Sequence, residues 1–245
     1  MPPVCRAYPC NTANYRRGRA LPVSYLVLHY VGATGSAEAN ARYYNGTAGI
    51  GASAHYFVGF DTEWPAVFIS VEEEDTAWHC GRADGKYRHP QCRNANSIGI
   101  ELCCHQYGAG MWFFDPETIG TAVELARDIV ARYGIPADHV LRHYDVTGKL
   151  CPRPWVEDTA AWEDFKRRVF APAEKEDEDM PKVYTTIDEV PAWAQDTVRR
   201  AMRTPSKDGP AGVMLLQGDQ HGKLHLTDEA ITTLELLRKA GLLNK

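Results

Sequence analysis

The sequence contains no apolar run approaching the ~20 residues that a membrane-spanning helix requires, so membrane insertion is not expected. It also lacks a dominant charge: the net charge is −5 over 245 residues, which argues against nucleic acid as the main partner. The opening residues, Met1-Pro2-Pro3-Val4-Cys5-Arg6, lack the charged-then-apolar order of a secretion signal. Synthesis in the cytoplasm is therefore expected, with any work outside the cell reached by another route. Cysteine is sparse and odd in number: seven thiols in a chain of this length exclude a disulfide-built scaffold. Cys80 and Cys92 flank a polar loop and can bridge under oxidising conditions, whereas the adjacent Cys103 and Cys104 read as idle thiols. Oligomeric state has no signature in the sequence.

Apolar residues make up 44% of the chain, enough for a sizeable core. Its clearest boundary is the run Ala171-Pro172-Ala173-Glu174-Lys175-Glu176-Asp177-Glu178-Asp179-Met180-Pro181, where five acids and one lysine stand between prolines. Such a segment repels itself and buries nothing, so residues 171–181 read as a linker between a domain over 1–170 and a small, mainly helical module over 182–245. In the first part, Tyr25–His29, Ala54–Phe60, Ser97–Leu102 and His139–Arg142 read as strands. Alternation puts Ile98, Ile100 and Leu102 on one face and Gly99 and Glu101 on the other. Ala37–Tyr44 and Trp162–Val169 read as helices. The strongest helix is Pro116–Tyr133, with Asp115 to cap it, Pro116 in its first turn, Gly134 to end it, and a stripe of Ile119, Ala122, Val123, Ala126, Ile129, Val130 and Tyr133. Strands alternating with helices predict an α/β domain with a central mixed sheet flanked by helices. The module opens on Val183-Tyr184-Thr185-Thr186-Ile187. A helix is expected over Pro191–Met202, with Trp193, Val198 and Ala201 on one side, and another over Asp228–Ala240.

The stretch Arg142-His143-Tyr144-Asp145-Val146-Thr147-Gly148-Lys149-Leu150-Cys151-Pro152 sets an imidazole and a thiol eight positions apart. Neutral imidazole and thiolate both suit a borderline-soft ion such as Zn2+. His29, at the end of the first strand, offers a third ligand. Three protein ligands leave one coordination position open for water, which is the catalytic arrangement of zinc. Metal-assisted hydrolysis also needs a carboxylate base and a cation for the developing oxyanion. Glu101 interrupts an apolar strand, where an acid is costly to bury without a partner, and Lys149 stands two residues before Cys151. By spacing alone, Lys149 reads more readily as a surface lysine in a turn than as a catalytic group.

These residues resemble those of the zinc-dependent N-acetylmuramoyl-L-alanine amidases, the amidase-2 group related to peptidoglycan-recognition proteins, and in particular phage and prophage endolysins. The resemblance rests on Val27-Leu28-His29, Gly51-Ala52-Ser53-Ala54-His55-Tyr56-Phe57-Val58, Thr76-Ala77-Trp78-His79, Asn96-Ser97-Ile98-Gly99-Ile100-Glu101-Leu102-Cys103, and His143 through Pro152, in this order between about positions 22 and 155. It implies hydrolysis of the amide between N-acetylmuramic acid and L-alanine of the peptidoglycan stem peptide. It implies one zinc ion held by His29, His143 and Cys151, with Glu101 as the base that activates water and Lys149 steadying the oxyanion. Trp78 and His79 match a segment lining the substrate cleft. Ala54 stands where some relatives carry a tyrosine, so that tyrosine's role is absent here, and the insert Gly81–Cys92 has no assigned task. The module, through Val190-Pro191-Ala192-Trp193-Ala194, resembles tails of other phage endolysins, which implies binding to the cell wall, with a packing or oligomerisation appendage as the alternative reading. Two competing readings are a non-catalytic peptidoglycan receptor of the same fold and an amidase that recycles soluble muropeptides. The receptor reading predicts a lost zinc ligand, and none of the three is lost.

Overall fold

Two six-residue strands, rich in β-branched and aliphatic side chains, form the middle of the sheet. In the computed structural model, which describes residues 2–60, 62–63, 65–81, 84–108, 110–172, 183–202, 226–227, 230–231 and 233–234, the main sheet has six strands: β1 (Val4–Cys5), β2 (Tyr25–Tyr30), β3 (Tyr56–Val58), β4 (Val67–Ile69), β5 (Ser97–Leu102) and β6 (Val140–Arg142). Their spatial order is β1-β4-β3-β5-β2-β6. β3, β5, β2 and β6 run parallel to one another, while β4 is antiparallel to β3 and β1 follows β4 in parallel. The sheet is thus mixed, as expected. Helices α1 (Ala37–Gly46), α2 (Pro116–Tyr133), α3 (His143–Thr147), α4 (Arg153–Glu157) and α5 (Thr159–Phe170) accompany it.

The alternation of β2 and β5 decides what each face does. Leu26 and Leu28 of β2, with Ile98, Ile100 and Leu102 of β5, enter the main core beneath α2 and α5. Both strands are nearly continuous in apolar residues because both faces are covered, as is usual for buried parallel strands. On the opposite face stand Tyr25, Val27 and His29, in register with Ser97, Gly99 and Glu101. Helix α2 follows its expected bounds, and Gly134 ends it in the left-handed conformation at φ 62°. Its buried side includes Thr118 and Leu125 as well as the expected stripe, while Tyr133 is exposed. Asp115 occupies the N-cap position but makes no capping bond; its carboxylate lies 2.8 Å from His105 Nε2 instead. The core of α4 and α5 is aromatic, with Trp155, Trp162 and Phe165 in mutual contact.

Three expectations need adjusting. The strand expected over Ala54–Phe60 is confined to Tyr56–Val58, because His55 spends its ring and backbone on Gly99, and the Phe60 N–H donates to Glu63. His139 belongs to a short 3-10 turn before β6 rather than to the strand. His29 and His143 do not end strands: Tyr30 follows His29 in β2, and His143 opens α3.

The chain divides into two compact units, Met1–Pro172 and Ala173–Lys245. In the second, Val183–Tyr184 pairs antiparallel with Leu226–Thr227, and α6 (Ala192–Ala201) buries Ala194, Thr197, Val198 and Ala201. These join Tyr184, Val190, Leu226, Ile231 and Leu234 in a small core. Trp193 does not share that side; it is 63% exposed, since it lies five residues before Val198 and so about 140° away around the helix. The helix expected over 228–240 lies largely outside the described residues, of which 230, 231, 233 and 234 are helical. Among the described residues, no helix is long and apolar enough to cross a membrane.

Candidate metal centre and active-site groove

β2 and β5 bring the first two site residues together. His29 and Glu101 are register partners in neighbouring parallel strands, and His29 Nδ1 lies 4.0 Å from Glu101 Oε1. β6 pairs on the other edge of β2, with Arg142 opposite Leu28, so the next residue, His143, arrives beside His29. The two imidazole centroids are 4.8 Å apart at 70°. Arg142 secures this entry. Its guanidinium and backbone N–H both bind the Asp145 carboxylate, at 2.8–3.0 Å, and Nη1 donates to the Trp155 carbonyl at 2.9 Å.

The loop after α3 then folds back. Gly148 ends the helix in the left-handed conformation at φ 83°, which favours glycine. The Tyr144 N–H donates to the Cys151 carbonyl at 2.8 Å, and the Cys151–Pro152 peptide is cis. Cys151 Sγ consequently sits 3.7 Å from His29 Nδ1. One ligand atom from each of His29, His143 and Cys151 lies within 4.8 Å of the others, and all three side chains are buried. This triad can hold a metal ion.

Electrostatics agree with that use. Burial lowers His29 well below the ordinary histidine range, reinforced by His143 and His79. Burial lowers His143 to about 3, with Lys149 adding to the effect. Both imidazoles are therefore neutral, the form that ligates metals. Among the described residues, neither ring nitrogen of His143 makes a hydrogen bond of ordinary geometry, the Gly81 backbone interacting only weakly with the ring, and a buried nitrogen lone pair left open in this way suits a ligand. Burial, reinforced by the Glu101 charge, raises the Cys151 thiol to about 12, so without a cation it keeps its proton. Burial also raises Glu101 to about 8, against a lowering by Lys149. Its side chain keeps 21% of its surface open, but Oε2 is buried and has no partner.

The groove beside the triad has a volume of about 420 Å3 and is lined by Gly51, Ala52, Trp78, His79, Gly81, Asn94, His143 and Lys149. Lys149 is exposed there, and Trp78 is half-buried. A larger hollow of about 670 Å3, lined in part by Arg19, Leu21, Glu73, Arg132 and Tyr133, contains none of the candidate residues. His79 lines the groove with Trp78, but its ring nitrogens are turned into the protein. It is buried, and both ring nitrogens face protein groups: Nδ1 is 3.0 Å from His29 Nε2, and Nε2 is 3.0 Å from Ser97 Oγ. Ser97, Asn94 and His55 complete this polar layer without having stood out as functional residues. Asn94 Oδ1 accepts from the His79 and Cys80 N–H groups at 3.2 and 2.8 Å, and His55 Nδ1 accepts from the Gly99 N–H at 2.9 Å. Cys80 and Cys92 are free, fully buried thiols in a cluster with Tyr25, Val27, Leu141 and Val146.

The family model described as N-acetylmuramoyl-L-alanine amidase matches residues 19–154, more than half of the chain. The N-acetylmuramoyl-L-alanine amidase CwlL of Bacillus licheniformis is 36% identical over 154 residues, covering 60% of this chain and 41% of that relative. The chain therefore spans about two fifths of the length of the curated relatives it matches. Among solved structures, a mutant endolysin from Bacillus subtilis is 26% identical with a TM-score of 0.53, covering 69% of this chain and 99% of that one. The catalytic domain of XlyA is 25% identical with the same TM-score of 0.53, covering 68% and 99% respectively. The fold and the matched residues coincide with the domain that carries the triad, and the chain belongs to the Amidase_2 family of N-acetylmuramoyl-L-alanine amidases.

Proposed function

We propose that the chain is a zinc-dependent peptidoglycan hydrolase that cleaves the amide between N-acetylmuramic acid and L-alanine of the stem peptide. The observation that supports this most is the convergence of His29, His143 and Cys151 within 4.8 Å, beside a carboxylate that has a free, buried oxygen. Two imidazoles and a thiol form a donor set suited to zinc, and the buried His143 ring, without a hydrogen bond of ordinary geometry among the described residues, fits a ligand. Zinc held there supplies Lewis acidity and lowers the pKa of water.

The remaining roles fall to the chain's own side chains. Glu101, on the groove side of β5, takes a proton from the attacking water and returns it to the leaving amine. Its raised pKa suits both halves of that task, since a base near working pH also gives the proton back readily. Lys149 stands in the groove next to His143, where its ammonium balances negative charge on the scissile carbonyl oxygen. Trp78 supplies an aromatic wall for the substrate. The unit from 182 to 245 is proposed to hold the enzyme on the wall, with exposed Trp193 as a contact.

A wall-clearing assay tests the reading. Protein stripped with a chelator should lose its activity on purified cell walls and regain it with about one equivalent of zinc per chain. Full activity after complete stripping would remove zinc from the account.

A further inference from the structure

His79 places an acceptor behind a metal ligand, and the proton positions along its chain of contacts can be deduced. Ser97 Oγ lies 2.7 Å from the Arg93 carbonyl oxygen. Two oxygens that close need a proton between them, and a carbonyl brings none, so the Ser97 hydroxyl donates to Arg93. Toward His79 the Ser97 oxygen is then an acceptor, so His79 Nε2, 3.0 Å away, carries a proton. The His79 Nδ1 lone pair in turn accepts from His29 Nε2, at 3.0 Å. His29 is thereby left with an unprotonated Nδ1, the nitrogen that faces Cys151 Sγ at 3.7 Å and Glu101 Oε1 at 4.0 Å.

The His79 ring has little room to turn. A Cβ at Gly99 would lie 2.5 Å from His79 Cγ, so the bare backbone of β5 is what admits the ring. The His79 N–H is held by Asn94 at 3.2 Å. With both nitrogens engaged inside the protein, His79 has no polar ring atom left for substrate.

We propose that His79 is a positioning residue: with Ser97 and the Arg93 carbonyl it fixes His29 in the Nε2–H tautomer and aims Nδ1 at the metal position. Hydrogen bonds of this kind orient ligating histidines in metal sites generally. The inference rests on the zinc reading above, but the proton order belongs to the metal-free protein and can be read there.

The full-length chain with 15N-labelled histidine, metal-free at about pH 8 where neutral imidazole dominates, reports each ring tautomer by long-range 15N–1H NMR. His29 should show a protonated Nε2 and a bare Nδ1. A His29 ring protonated on Nδ1 overturns the proposal. In a second arm, chelator competition gives zinc affinity for wild type, His79→Phe, His79→Gln and Ser97→Ala, with amide spectra as the check on folding. His79→Phe removes the acceptor and should weaken zinc by about 10–100-fold. His79→Gln can accept from His29 and donate to Ser97, and should recover most of that loss. Wild-type affinity in both His79→Phe and Ser97→Ala overturns the proposal. Should His79→Phe fail to fold, Ser97→Ala and the wild-type tautomer still decide it. A wild-type chain that binds no zinc would defeat the metal-site reading instead, and the NMR arm would still judge the proton order.

Discussion

His29 and Glu101 are direct register partners across two parallel strands, 4.0 Å apart between Nδ1 and Oε1. Side chains alternate along a strand, so a slip of one residue in either strand would send one of the pair into the main core. The pairing therefore couples the position of the base to that of the ligand. Glu101→Gln keeps the shape and removes the charge. It should retain zinc and fold, and lose about 10²–10⁴ in kcat, the range for general acid–base groups. Steady-state rates together with metal content check this; turnover near wild type would remove Glu101 as the base.

Lys149 lies in the groove but not in the triad. Lys149→Met should leave zinc content unchanged and lower kcat by about 10²–10³, as for loss of one oxyanion donor. A change in KM alone would mean that Lys149 binds substrate rather than the transition state.

The protonation states make metal binding a proton-releasing event. His29 and His143 are already neutral at pH 7, whereas Cys151 keeps its proton up to about 12 and Glu101 is held near 8. Calorimetric zinc titrations in buffers of different ionisation enthalpy should therefore show release of roughly one to two protons at pH 7. Cys151→Ala should bind far more weakly and release correspondingly fewer. Tight binding by Cys151→Ala would exclude the thiolate as a ligand.

Glu101 also makes the metal-free protein sensitive to alkali. Its pKa is raised in the folded state, so its contribution to stability is present below its unfolded value and is lost as pH rises through about 8. The lowered histidines act in the opposite sense, losing stability as pH falls. In chelator, Glu101→Gln should raise Tm at pH 9 by on the order of 5 °C over wild type, with the gap closing toward pH 5. Thermal scans across that range check the sign; a gap that widens toward acid would contradict it.

Much of this was legible in the residues, for identifiable reasons. β2, β5 and α2 carry strong patterns, because each buries a continuous apolar face; β5 and α2 keep their expected bounds, and β2 runs one residue further, to Tyr30. The triad was legible through the His143–Cys151 spacing and the family resemblance, and the folded loop brings those atoms together. The layer behind the triad was not. Ser97, Asn94 and the Arg93 carbonyl act through a 3-10 turn and its hydrogen bonds, and apolar periodicity carries no information about polar contacts made by a turn. Asp115 and Trp193 show the same limit. A good capping residue was claimed by His105, and a large aromatic side chain was left facing outward by helix phase.

The central claim is the bond that is cut. Purified peptidoglycan digested by the zinc-loaded full-length chain, and separately by its Glu101→Gln variant, can be resolved by mass spectrometry with labelling of new amino groups. The account predicts stem peptides released with free L-alanine amines, glycan strands left intact with lactyl carboxylates, and neither product from the variant. New reducing sugar ends, or peptide fragments cut beyond L-alanine with the muramoyl amide intact, would contradict it.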